Sequence, residues 1–211
     1  MVKDEIVHFF ENYILKYIVN DLKRLDEIQP DRDGLGACAI PQAISTFAVA
    51  DLIGYLINKD ESKEVTKMSF LGLLKNTNYF KAFGDSEVEQ DFFIYLRDNV
   101  RSMLVHRFSL SRFDIIKDDI DFLFLQNEGR LVFNVSCFTK LVLDSIDKVY
   151  AGLLDETLII PGSSFEESLP IIHNRLYRLY DFEKGESSIS FQFPSTTTTQ
   201  TTESISRKKD S

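Results

Sequence analysis

Apolar residues recur at helical spacing from Ile6 through Phe9, Phe10, Tyr13, Ile14, Tyr17, Ile18, Leu22 and Leu25, with charges on the other face. The pattern predicts a long first helix laid on a core. Residues 29–34, Gln-Pro-Asp-Arg-Asp-Gly, punctuate the chain, and Pro41 sits where the first turn of a second helix tolerates it. That helix, running to about Ile57, is apolar nearly all round. Its small residues Ala43, Ala48, Ala50 and Gly54 suit a central position.

A polar loop is expected over 58–67 and a short helix near 69–75. Ser86, with Glu89 three residues on, reads as a capping box opening a third long helix to about His106. Residues 122–126 and 130–135 are rich in Phe, Leu and Val and flank Asn127-Glu128-Gly129, which predicts a β-hairpin. A fourth helix follows, with Phe138, Leu141, Val142, Ile146, Val149, Tyr150 and Leu153 on one face. Ser163 with Glu166, and Ser164 with Glu167, offer overlapping capping boxes for a last helix to about Tyr180, which Pro170 either kinks or starts. Beyond Asp181 the periodicity fades into a Ser/Thr run that cannot bury enough surface to offset its ordering entropy. The expected fold is mainly α: a helical bundle with one small β-hairpin over 1–182, then a disordered Ser/Thr-rich tail over 183–211.

Composition sharpens this picture. The 211 residues include 18 Phe and 8 Tyr but no Trp, so phenyl rings must supply most of the bulky core. A formal net charge of −9 opposes general affinity for nucleic acid or anionic membranes and confines any such binding to a local basic patch. Cys38 and Cys137 are isolated thiols, read as buried and reduced, with no zinc-ligand spacing. No metal and no cofactor are expected. The start of the chain does not read as a signal peptide. The segment 36–57 is interrupted by Pro41, Gln42, Ser45, Thr46 and Asp51, and a central Asp alone costs about 2.5–3.5 kcal/mol on insertion. A cytoplasmic chain without a membrane span is therefore expected.

Three short patterns carry little chemistry. Gly34-Leu-Gly36-Ala-Cys-Ala39 has a dinucleotide-type spacing but no preceding strand, so its glycines are read as turn residues. Asn134-Val-Ser136 is a glycosylation sequon with no meaning in a cytosolic protein. His8 and His173 are read as structural or solvated.

The informative segment lies at 97–112. Arg97, Arg101, Arg107 and Arg112 face Asp98 alone there, a local net +3 in an acidic chain. This is a candidate anion or phosphate site, with Ser102 adding a hydroxyl. On one straight helix Arg101 and His106 are about 140° apart, so a joint role requires a helix end at His106 or a second copy of the chain. Read simply as surface chemistry, Arg101 forms an ion pair, with Asp98 three residues before it as one candidate, and His106 favours a helix C-terminus.

At Arg101-Ser-Met-Leu-Val-His106 the chain resembles the HEPN superfamily, whose hallmark is an Arg followed by four to six residues and a His near the end of a core helix. The surrounding order of helices, over about residues 1–155, is similar too. The resemblance implies metal-independent RNA cleavage by a homodimer that apposes two motifs. His106 would act as general acid/base, and Arg101 would orient the scissile phosphate and stabilise its charge. Arg97, Ser102, Arg107 and Arg112 would then contact RNA. Many active members carry Asn, Asp or His directly after the Arg, where this chain has Ser102. The resemblance also implies a toxin or defence role with an antitoxin or other protein partner. Two alternatives stand beside it: a non-catalytic helical interaction domain on the same scaffold, and a small-molecule enzyme.

Overall fold

The computed structural model describes residues 2–29, 37–58, 100–101, 113–119, 122–127, 130–158, 160 and 162–180. The expected short helix near 69–75, the Ser86 capping box, the third helix apart from Val100 and Arg101, and the tail lie outside the described residues. Helices α1 (Val2–Phe9) and α2 (Asn20–Glu27) flank a π-helical segment, Phe10–Val19. They are followed by α3 (Ala39–Ile57), strands β1 (Phe113–Ile116), β2 (Phe124–Asn127) and β3 (Arg130–Asn134), and helices α4 (Val135–Leu154) and α5 (Phe165–Tyr180). The described fold is mainly helical, with one small sheet.

The π segment changes which face of the first helical run is buried. Its i→i+5 hydrogen bonding widens the turn, so that a residue five along lies nearer the same face than it would in an α-helix. Val19 therefore follows Ile14 into the core, behind Ile6, Phe9 and Phe10 and ahead of Leu22. Tyr13 and Tyr17, expected on the core face from a 3.6-residue period, are instead turned out, 49% and 56% exposed. The Asn12 and Asn20 amides donate to the carbonyls four residues back, those of His8 and Lys16, at 3.0 and 2.8 Å.

Helix α3 is the central element, packed against α2, α4 and α5. By length and composition it is apolar enough to cross a membrane, yet half of that stretch is buried inside this fold. Pro41 occupies its first turn, as expected. The hairpin also forms, β2 antiparallel to β3 with Asn127 opposite Arg130. The sheet has a third strand that the sequence reading omitted: β1 runs parallel to β3 in the order β1-β3-β2, with Phe113 opposite Leu131. Phenyl rings tie this sheet to the helices. Phe133 stands 5.2 Å from Phe124 and 5.5 Å from Phe138, and Phe138 is 4.6 Å from Phe47 of α3.

Asn134 ends β3 and starts α4. Its side-chain oxygen accepts from the Cys137 amide at 3.4 Å and from the Asp118 amide at 3.3 Å, while its nitrogen donates to the Asp118 carbonyl at 3.0 Å. It is fully buried, so the sequon asparagine is a helix cap. Of the two capping boxes, the fold uses Ser164 with Glu167. Helix α5 continues through Pro170, which lies inside the helix and forgoes the bond an amide there would make to the Glu166 carbonyl.

Three helix C-termini are closed by cations from distant sequence. Lys3 donates to the Leu154 carbonyl at the end of α4 and to the Glu156 carboxylate. Glu156 itself holds the left-handed conformation, φ 61°, usually taken by glycine after a helix. Lys117 donates to the carbonyls of Leu25 and Ile28 at the end of α2, both at 2.7 Å, and to that of Ala37 at 3.2 Å. Arg175, only 1% exposed, donates to the carbonyls of Tyr55, Leu56 and Asn58 at the end of α3. Each cation satisfies carbonyls that the helix cannot and meets the negative end of its dipole.

Candidate functional site

Of the residues singled out in the basic segment, Arg101 is described. Arg97, Ser102, His106, Arg107 and Arg112 lie outside the described residues. Val100 beside it is fully buried and anchors the chain in the core, while the Arg101 side chain reaches toward the surface, 30% exposed. Its Nη2 pairs at 2.8 Å with Oδ2 of Asp51, which is 17% exposed on α3. The pairing explains how an otherwise apolar central helix carries a carboxylate: an unpaired buried charge is expensive, and a guanidinium beside it removes most of that penalty. Asp98, the local candidate partner, lies outside the described residues.

A guanidinium presents five N–H donors in a planar fork. One edge on Asp51 therefore fixes the orientation of Arg101 while leaving donors for a second acceptor. A phosphate bound there would meet a cation whose charge is partly neutralised by its neighbour.

Nothing among family models, curated proteins or solved structures matches the chain. The chemistry must be read from the residues alone.

A second polar cluster lies at the N-terminal end of α3. The Asp26 Oδ1 accepts from Ser136 Oγ at 2.6 Å and from Gln42 Nε2 at 2.7 Å, joining α2, α3 and α4. The Thr139 hydroxyl donates to the Val135 carbonyl at 2.9 Å, so its oxygen accepts from Gln42 and from Thr46, both at 3.0 Å. These groups satisfy one another, which suits a structural knot better than a reaction centre. The Gln42 carbonyl oxygen is the exception, buried with no donor among the described residues. Lys117 borders this cluster. Burial pushes its ammonium below the usual lysine range, and nearby Asp26 and Cys38 act in the opposite direction.

Cys137 is buried, as read from the sequence, whereas Cys38 is only half-buried because it precedes α3 in a left-handed turn, φ 54°. His173 bonds the Glu5 carboxylate at 2.6 Å and ties α5 to α1, and His8 shares a 3.1 Å contact with Asn12. Both histidines thus have structural partners within reach. Among the described residues, no three His, Cys, Asp or Glu side chains gather around a point that could hold a metal.

Proposed function

We propose that the chain is a HEPN-like protein that cleaves RNA without a metal, as a homodimer in the cytoplasm, in a toxin or defence setting with an antitoxin or other protein partner. Arg101 and His106 form its catalytic pair, and Arg97, Ser102, Arg107 and Arg112 contact the RNA. The observation that carries this reading is the posture of Arg101: rooted beside a buried valine, braced by Asp51, and still partly exposed. A braced guanidinium is pre-organised to receive phosphate and loses less freedom on binding it. His106 takes the 2′-hydroxyl proton as general base, a role that suits an imidazole. The oxygen then attacks the phosphorus, the 5′-oxygen leaves with a proton from a general acid, and the product ends in a 2′,3′-cyclic phosphate.

A second reading has a specific observation in its favour. Asp51 offsets the charge of Arg101 at 2.8 Å, as a purely structural ion pair would. On that reading the chain is a non-catalytic interaction domain. The test uses the full chain and single-stranded RNA in the presence of EDTA. The ribonuclease reading expects cleavage, with His106→Ala and Arg101→Ala each losing about 10²–10⁴-fold. A well-folded wild-type dimer that leaves varied RNAs intact, with Arg101→Ala lowering only the melting temperature, moves the conclusion to the second reading.

A further inference from the structure

The exposed tyrosines of the first helical run are the feature that neither fold nor proposed site uses. A π-helical stretch of ten residues is unusual, because i→i+5 bonding is rare beyond a single turn and concentrates at functional sites. Within it Val19 is buried, while Tyr13 and Tyr17 are exposed. Tyr13 is held by stacking on buried Phe9, with ring centroids 5.3 Å apart and planes 21° from parallel. Lys16 lies over the Tyr17 ring, 5.7 Å from its centroid.

The charge around the rings differs from that of the molecule. Between residues 12 and 24 the cations are Lys16, Lys23 and Arg24 and the only acid is Asp21, a local net +2 against −9 for the chain. Lys16, Lys23 and Arg24 are all exposed. Of the nearby acids on the same helical run, Glu11 accepts from the Tyr150 hydroxyl of α4 at 2.7 Å, Glu5 bonds His173 of α5, and Asp26 accepts from Ser136 and Gln42, while Glu27 stands exposed at the end of α2. Two aromatic rings one turn apart, with cations at and beyond them, are the components of a single-strand platform. Bases stack on the rings and phosphates meet the cations.

We infer that Tyr13 and Tyr17, with Lys16 and Arg24, form a stacking platform for unpaired bases of single-stranded RNA, remote in sequence from the Arg101–His106 segment. The inference rests on the RNA-directed reading above for the identity of the polymer. The platform holds the strand, and Arg24, two turns beyond Tyr17, takes a backbone phosphate.

The experiment measures binding of the full chain to a fluorescently labelled single-stranded RNA oligonucleotide and to the matching duplex, alongside cleavage. Tyr13→Ala and Tyr17→Ala are each expected to weaken single-strand binding at least about fivefold. Tyr→Phe at either position retains it, and Lys16→Ala or Arg24→Ala lowers the salt dependence of binding by about 0.7 in log–log slope. Melting curves of the Tyr17 variants should overlay the wild type, since that side chain is largely exposed, whereas Tyr13→Ala loses the stack on Phe9, worth about 0.5–1.5 kcal/mol, and Tyr13→Phe keeps it. If the platform and the ribonuclease both hold, His106→Ala binds normally without cleaving, and the tyrosine variants raise KM with kcat unchanged. Tyrosine-dependent binding without cleavage keeps the platform and removes the ribonuclease. Cleavage with an unchanged KM in Tyr13→Ala/Tyr17→Ala, no binding by the wild type, or equal preference for duplex overturns the platform. So does a change of oligomeric state in the double variant, which would assign the stripe to a second copy of the chain.

Discussion

Replacing Arg175 by Met tests whether the guanidinium at the end of α3 holds the fold together. Methionine keeps most of the apolar stem, so the lost quantity is the charge and its donors. Three backbone carbonyls, those of Tyr55, Leu56 and Asn58, lose a donor at once. Each orphaned buried acceptor costs about 1–3 kcal/mol, and partial relaxation toward water lowers the sum to about 3–5 kcal/mol. The contact of the guanidinium with the Tyr55 ring, 5.4 Å from its centroid, is lost as well. Swapping a buried ion pair for apolar residues is often harmless because both partners disappear together; here the three carbonyls are main chain and remain.

For a chain of this size 1 kcal/mol corresponds to about 2–4 °C in melting temperature, so Arg175→Met should melt roughly 10 °C below the wild type. Urea titration followed by circular dichroism should show the midpoint falling with an unchanged slope. Lys148→Met is the control. It breaks the 2.6 Å pair of Lys148 with Asp144 on the surface of α4, worth about 0.3–0.5 kcal/mol. An Arg175→Met protein melting within about 2 °C of wild type would refute the capping argument.

Asn134→Ala removes the α4 cap and the two bonds to Asp118 together, with an expected loss of about 2–3 kcal/mol by urea unfolding; a loss under about 0.5 kcal/mol would sink that assignment. Lys117 and Lys140 should titrate in a fixed order, Lys117 first, because burial lowers the one while a hydrogen bond to Asp119 raises the other. The folded chain then carries fewer protons at Lys117 than the unfolded chain just below the usual lysine range, so that group makes stability rise with pH there. Lys140 has the opposite sign: its contribution is complete below the unfolded value and is lost as pH rises through the folded one. Side-chain NMR of the lysines checks the order, and the reverse order refutes it.

The helices legible in the sequence were those whose apolar spacing and end signals agreed. Pro41 in the first turn of α3 and Ser164 with Glu167 are local signals found in place, and the two apolar runs pair as antiparallel strands, with Asn127, expected in the turn, as the last residue of β2. A 3.6-residue period places Tyr13 and Tyr17 on the core face, but the segment bonds i→i+5 and both are exposed; the run Tyr17-Ile18-Val19 carries no local mark of that change. Strand β1 was missed for a different reason. Phe113-Asp-Ile-Ile is too short to declare itself, and its partner β3 begins well downstream across β2. Register with a distant parallel strand leaves no local mark.

The candidate site was legible in its residue types more than in its contacts. A guanidinium was expected at Arg101 with a neighbour on its own helix as one partner, and the structure supplies Asp51 from another. The signal lay in α3. One carboxylate in a helix otherwise apolar nearly all round requires a cation, since neither burial nor water can accommodate it alone. Arginine is the economical answer, because one edge of its fork quiets the carboxylate and the other remains for a ligand. At Arg175, by comparison, a cation on a buried face meets helix-terminal carbonyls. What separates the two arginines is exposure. Arg175 is 1% exposed and ends its chemistry in the fold, whereas Arg101 is 30% exposed and retains a face on which an anion can act.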